Sequence, residues 1–423
     1  MNVSTFATNF VAKFLMHVPF IGEHSIKTAL LSYYIASELF SDESSALFSA
    51  LGGLVHDIGF VVPKYTKPLF DYRSAYALSE LESSSRNVFA HTTIGGYIIS
   101  NFLGMYEYAD IAFYHHTPAP ELDEDSFTHV VANIVGISDL VVSYLENTSP
   151  PLSKRIIPEI LEKRRDNFFP DIYPVAMELL KKDYTWWSLE NAKYHIEDMV
   201  LNKMNVSEMI DIDSLIDIGH FTAYLVDAKS SFTRKHSERI ATLARDIARE
   251  FGMDDEKAKL FYVAGLFHDI GKIAIPLNIL EKPARLDDTE FWYMRQHIYY
   301  TEILLKDFEN FGCEWPIWAR QHHERLDGTG YPRRLKGEEL PLESRILQVC
   351  DVFVAFTEDR PYRDPLDFSE ALGIIEKEVK AGKMDGEVLE KLKIMVKNGY
   401  RFPEKTVTEE IVETVEFLMN SLG

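Results

Sequence analysis

Cysteine is close to absent: Cys313 and Cys350 are the only two in 423 residues. Two thiols build no disulfide framework, which sets aside small secreted scaffolds and fits a reducing, cytoplasmic setting. Positive charge is scarce as well. Lysine and arginine number 44 against 66 aspartates and glutamates, a formal net charge of −22. So acidic a surface repels polyphosphate backbones, so a general DNA or RNA binder is not expected. No apolar run approaches the roughly 20 residues that span a bilayer, so no membrane segment is expected either. The early stretch FVAKFLMHVPFIG is interrupted by Lys13 and His17 and has no small-residue cleavage site, so it reads as a helix. Sustained strand-like alternation is missing. What the chain does have is 46% hydrophobic and 26% charged residues, enough for sizeable cores. At about 150 residues per domain its length suggests two or three domains.

Apolar residues recur three and four positions apart. In HSERIATLARDIAREFGM, Ile240, Leu243, Ala244, Ile247 and Phe251 form one stripe, with His236 on the same face and Gly252 where the helix should stop. FSEALGIIEKEVKAG and EEIVETVEFLMNSL repeat the pattern, and the predicted class is all-α. An internal repeat organises these helices. His24 precedes His236 by 212 residues, His56 and Asp57 precede His268 and Asp269 by 212, and Asp139 precedes Asp351 by 212. Between these anchors the offset slips to 206 for His91 and His297, and to 207 for the pairs His115–His116 and His322–His323. Gaps in loops followed by restored register are what two copies of one fold show. The reading places a first helical bundle at 1–185, a helical connector at 186–215 and a second helical bundle at 216–423.

Ten of the 14 histidines fall into these two matched sets of five. Asp351 is the telling acid, the only charge between Arg345 and Glu358 in an otherwise apolar run. Burying a bare carboxylate costs several kcal/mol unless something pairs with it. A cation is the natural partner, and Asp139 repeats the situation. His236, His268, Asp269, His297, His322, His323 and Asp351 are too many ligands for one tetrahedral zinc. They suit two divalent ions per site, with Asp269 as the bridge. Imidazole and carboxylate without thiolate favour iron or manganese, with zinc or nickel as alternatives. Two cations about 3.5–4 Å apart generate a hydroxide at neutral pH and clamp the oxygens of an in-line phosphoryl displacement. Phosphate-ester hydrolysis is the reaction class. The first copy retains His24, His56, Asp57, His91, His115, His116 and Asp139 as candidate ligands.

HDIGK at 268–272, followed by HHERLDGTGYP at 322–332, resembles the HD-GYP branch of the HD superfamily of metal-dependent phosphohydrolases. IPLNILEKPARL and EDRPYRDPL resemble further segments of that family, and the likeness runs in order from 236 to 363. It implies a helical bundle holding two or three metal ions, with cyclic di-GMP as substrate, cut to pGpG or on to GMP. His236, His268 and Asp351 would then hold one ion and His297, His322 and His323 the other. Asp269 would bridge them. Lys272 is expected on a phosphate oxygen, and Asp327, Tyr331, Arg360 and Arg363 at the phosphates or a guanine. In relatives with three ions a glutamate stands four residues before the first histidine. Here that position is Phe232, and Phe20 in the first copy, so two ions and accumulation of pGpG are expected; Asp227, nine residues before His236, is the alternative carboxylate. The first domain resembles the wider HD fold but replaces Lys272 by Phe60 and the glycine-tyrosine-proline turn by the acidic HHTPAPELDEDS. It is expected to hold metal and to regulate. A homodimer or a signalling protein is the expected further partner. The alternatives are a low-turnover scaffold that binds metal and cyclic dinucleotide, and hydrolysis of another nucleotide.

Overall fold

In the computed structural model the described residues are 10–11, 13–18, 21–61, 85–103, 105–148, 150–196, 211–229, 235–282, 284–310, 312–358, 364–407, 409–410, 413–414 and 417. Phe20, Phe232, Arg360 and Arg363 lie outside them. The fold is all-α: among the described residues the only β pairing is a single bridge between Asp327 and Lys336. The described residues form two compact units, which divide between 196 and Asp211.

The first unit runs through α1 (Ile21–Leu39), α2 (Glu43–Val55), α3 (Ser85–Phe102), α4 (Tyr106–Tyr114), α5 (Phe127–Glu146), α6 (Pro150–Lys163), α7 (Ile172–Lys181), α8 (Asp183–Glu190) and α9 (Ala192–Ile196). The second has α10 (Ile212–Lys229), α11 (His236–Glu250), α12 (Asp255–Phe267), α13 (Leu277–Leu280), α14 (Asp288–Asn310), α15 (Trp315–Arg320), α16 (Leu342–Thr357), α17 (Phe368–Lys380) and α18 (Gly386–Lys397). The repeat is visible in local chemistry. Asp42 caps α2 by accepting from Ser45 N, and Asp254 caps α12 by accepting from Lys257 N, again 212 residues on. A Cβ on Gly53 would lie 2.7 Å from Ala29 Cα, and one on Gly265 would lie 2.4 Å from Ala241 Cα. These glycines let α1 meet α2, and α11 meet α12, at backbone contact. The expected stop after the α11 stripe is present, with Gly252 at φ +76°.

Two details differ from expectation. Residues 186–196, assigned to a connector, lie in α8 and α9, which pack on α1 in the first unit with Trp186, Leu189 and Ile196 buried. Their apolar side chains find a core to enter, and α10 opens the second unit at 212. The other is α5, which is long and apolar enough to cross a membrane by length and composition, although no such run was expected. Two thirds (67%) of its apolar window is buried within the protein, and Asp139 sits in its middle. A helix enclosed by neighbours is apolar around its circumference for that reason.

Candidate metal centres

Helix ends deliver four of the second unit's five histidines, and His297 projects from within α14. His236 is the first residue of α11 and His268 the residue that closes α12. Asp269 follows, then a 3-10 turn over Ile270–Ala274. That turn presses against α14: a Cβ on Gly271 would lie 2.0 Å from the carbonyl oxygen of His297. The same construction on Gly59 would end 1.9 Å from the carbonyl oxygen of His91. Glycine after the His-Asp-Ile triplet is therefore a packing requirement in both copies. His322 and His323 follow α15, and Asp351 lies in α16.

These side chains meet. Asp269 Oδ2 lies 3.0 Å from His268 Nε2 and 3.9 Å from His236 Nε2. Its other oxygen, Oδ1, lies 3.4 Å from His297 Nε2 and 3.9 Å from His322 Nε2. Asp351 reaches His236 Nε2 at 3.5 Å with one oxygen and His323 Nδ1 at 3.8 Å with the other. Ligand atoms of His236, His268 and Asp351 cluster within 4.8 Å, as do those of His297, His322 and His323, and those of His268, Asp269 and His322. All are buried except His323 and Asp351, which are partly so.

Protonation fits a cation site. The Nδ1–H groups of His268, His297 and His322 donate to the carbonyls of Gly265 (2.7 Å), Met294 (2.6 Å) and Ala319 (2.6 Å). His297 and His322 keep Nε2 as an inward lone pair, buried without a hydrogen-bond partner, as is Asp269 Oδ1, while His268 Nε2 faces Asp269 Oδ2. Buried acceptors with no donor are costly unless something electropositive sits among them. Burial pushes His297 down to about 4 and His322 to about 3, and it carries His323 well below the usual histidine range. Burial works against the charge on Asp269 and Asp351. For Asp269, His268 and Lys272 outweigh it, and for Asp351, His236 and His323 do; both carboxyls stay ionised well below the usual range.

The first unit repeats the geometry. His24, His56, Asp57 and Asp139 form one cluster and His91, His115 and His116 another. Asp57 again faces both: Oδ2 is 3.3 Å from His56 and 3.6 Å from His24, and Oδ1 is 3.5 Å from His91 and 3.8 Å from His115. The rims differ. Lys272 contacts Asp269 Oδ2, whereas Phe60 stacks on His91 with ring centroids 4.2 Å apart. In the second unit the turn after His323 is fixed by Glu324, which is fully buried and accepts from Arg333 N (2.7 Å) and Leu335 N (3.0 Å). Gly330 is forced, since a Cβ there would lie 2.4 Å from Arg325 N. Tyr331 packs on His323 with centroids 4.8 Å apart, and the Arg295 guanidinium lies 5.1 Å from its ring. Asp327 is exposed, and its carboxylate accepts from Thr329 N (2.9 Å) and Thr329 Oγ1 (2.6 Å) within the turn.

Sequence reasoning missed the carboxylates that orient the first histidines. Glu358 accepts from His236 Nδ1 at 2.9 Å and Glu146 from His24 Nδ1 at 3.1 Å. Glu358 in turn meets Arg239 and Glu146 meets Lys27. Both pairs obey the 212-residue offset, the signal by which they were findable. A carboxylate behind a ligating imidazole fixes its tautomer and direction.

Two metal-ready copies of one helical bundle define a tandem HD-domain protein, and residues 21–157 and 221–388 each match the HD-domain family. The chain is 32% identical over 408 residues to a 3'3'-cGAMP-specific phosphodiesterase 1 of Vibrio cholerae, covering 92% of this chain and 90% of the relative. It is 33% identical over 237 residues to a cyclic di-GMP phosphodiesterase of Thermotoga maritima, covering 52% of this chain and 63% of that one. The crystal structure of the V. cholerae cyclic GMP-AMP-specific phosphodiesterase V-cGAP3 shares the fold, with a TM-score of 0.59 at 21% identity over 94% of this chain and 98% of the other. The chain belongs to the HD-GYP family of HD-superfamily phosphohydrolases.

Proposed function

We propose that the second unit hydrolyses a phosphodiester of a cyclic dinucleotide. The observation that carries this is Asp269: its two oxygens face two separate groups of inward-pointing imidazoles, and Lys272 stands beside it. When bound there, two divalent cations supply a hydroxide at neutral pH and neutralise phosphoryl oxygens. His236, His268 and Asp351 would hold one and His297, His322 and His323 the other, with Asp269 placed to serve both. Lys272 receives a phosphate oxygen, and Tyr331, stiffened by His323 and Arg295, forms the wall of the base pocket. Iron or manganese suits the donor set best.

Cyclic di-GMP is the substrate read from the HDIGK and GYP motifs. A second reading, 3'3'-cGAMP, is favoured by one observation: the V. cholerae relative that matches the chain across both domains is named for it. The first unit holds metal without cleaving, because Phe60 brings an apolar ring where Lys272 brings charge. The test compares kcat/KM for both dinucleotides in the metal-loaded chain, its His268→Ala/Asp269→Ala variant and its His56→Ala/Asp57→Ala variant. Activity on at least one dinucleotide, lost only in the first variant, is expected. Activity that survives there and vanishes in the second would move the catalyst to the first unit.

A further inference from the structure

The end of α10 buries two charged residues, Asp227 at 2% and Lys229 at 5% exposure. Lys229 Nζ donates to the carbonyls of Ile273 at 2.7 Å and Ile275 at 2.5 Å, with that of Lys272 at 3.4 Å. These are the closing carbonyls of the Ile270–Ala274 turn and of the residue that ends it. The turn starts directly after Asp269 and carries Lys272, whose ammonium rests on Asp269 Oδ2. Two residues before Lys229, Asp227 accepts from Ser237 N at 3.4 Å and Ser237 Oγ at 3.2 Å, in the first turn of α11 beside His236. One helix end thus grips both segments that feed the site.

A lysine is a costly way to fill a core, since its charge must leave water. Burial pushes Lys229 down to about 7. An apolar side chain would fill the space without that cost but would leave turn carbonyls unsatisfied. The first copy supplies an internal comparison. At the 212-residue offset His17 replaces Lys229, Leu15 replaces Asp227 and Phe60 replaces Lys272. His17 spends its Nδ1–H on the carbonyl of Lys13, four residues back. The copy without the phosphate-facing lysine also lacks the lysine that grips its turn.

We propose that Lys229 is a positioning residue for phosphodiester cleavage: by holding the carbonyls of residues 272, 273 and 275 it fixes the turn that sets Lys272 beside Asp269. This rests on the hydrolase reading above. The test uses the full metal-loaded chain with Lys229→Met, Lys229→Gln, Lys272→Met and the Lys229→Met/Lys272→Met double variant. Lys229→Met should keep its metal content, speed amide hydrogen exchange in 270–276 and lower kcat/KM by about tenfold to a hundredfold, the scale of a small misplacement. Lys229→Gln, which keeps donors, should recover part of the rate. In the Lys272→Met background Lys229→Met should cost nothing more, because it acts through Lys272. Additive losses in the double variant, unchanged exchange in 270–276, or failure of both Lys229 variants to fold would each overturn the proposal. If the unaltered chain cleaves neither dinucleotide, the hydrolase reading fails. Exchange and metal content then decide the positioning claim on their own.

Discussion

Asp351 and Asp269 face the clustered histidines of the second unit, and those histidines rely in turn on residues behind them. Glu358 holds His236 by Nδ1 and is itself met by Arg239. Replacing Glu358 by Gln removes that charge while keeping the shape. We expect metal affinity of the second unit to fall between about 10- and 100-fold, measured by competition with a chelator; unchanged affinity would make Glu358 a bystander. Lys272→Ala should behave oppositely, leaving metal content intact and lowering turnover, and unaltered kinetics would return it to a surface role. The clustering of these histidines and acids was legible in the sequence because histidines and an isolated acid in apolar helices have few other reasons to be there. Glu324 was not, since one acid among many carries no such mark until the fold shows what it touches, and Glu358 was marked only by its 212-residue match to Glu146. Asp327 looked like a contact residue in the motif, yet its carboxylate is engaged by Thr329 in its own turn.

Among the helices, the repeat gives a comparison within one chain. In the first unit burial opposes protonation of His24 and His56, but Asp139 and Glu146 outweigh it for His24, and Asp57 and Asp139 for His56. His24 is held well above the usual range and His56 at about 9. A group raised in this way stabilises the metal-free unit below its ordinary value of 6.5, and that contribution is lost as pH rises through about 9. A cation must expel those protons, so binding at the first unit should tighten from pH 6 to 9 with net proton release. Titration calorimetry of the His268→Ala/Asp269→Ala variant, in buffers of different ionisation heat, checks this; affinity independent of pH would contradict it. The helices themselves were readable from three- and four-residue periodicity. The 3-10 turn after Asp269 was not, because its shape comes from Gly271 meeting the backbone of α14. Nor was the packing of α8 and α9, which looked like a connector because short aromatic helices carry no long stripe.

Across the described residues the 212-residue repeat becomes two units with corresponding His/Asp clusters and different rims, Lys272 in one and Phe60 in the other. The two-ion reading leads to a product prediction. Opening one phosphodiester of the ring needs a single approach to the nucleophile between Asp269's two ligand groups. A second cut requires a flexible linear product with a more negative end to be held again. The linear dinucleotide should therefore accumulate. The most direct measurement is a product time course for the full metal-loaded chain given cyclic di-GMP or 3'3'-cGAMP, with Asp269→Ala run beside it. The account predicts prompt linear dinucleotide from at least one substrate, slow or no mononucleotide, and, with Asp269→Ala, loss of the second unit's metal and of all product. Mononucleotide as the prompt product, or near-normal turnover by Asp269→Ala, would contradict it.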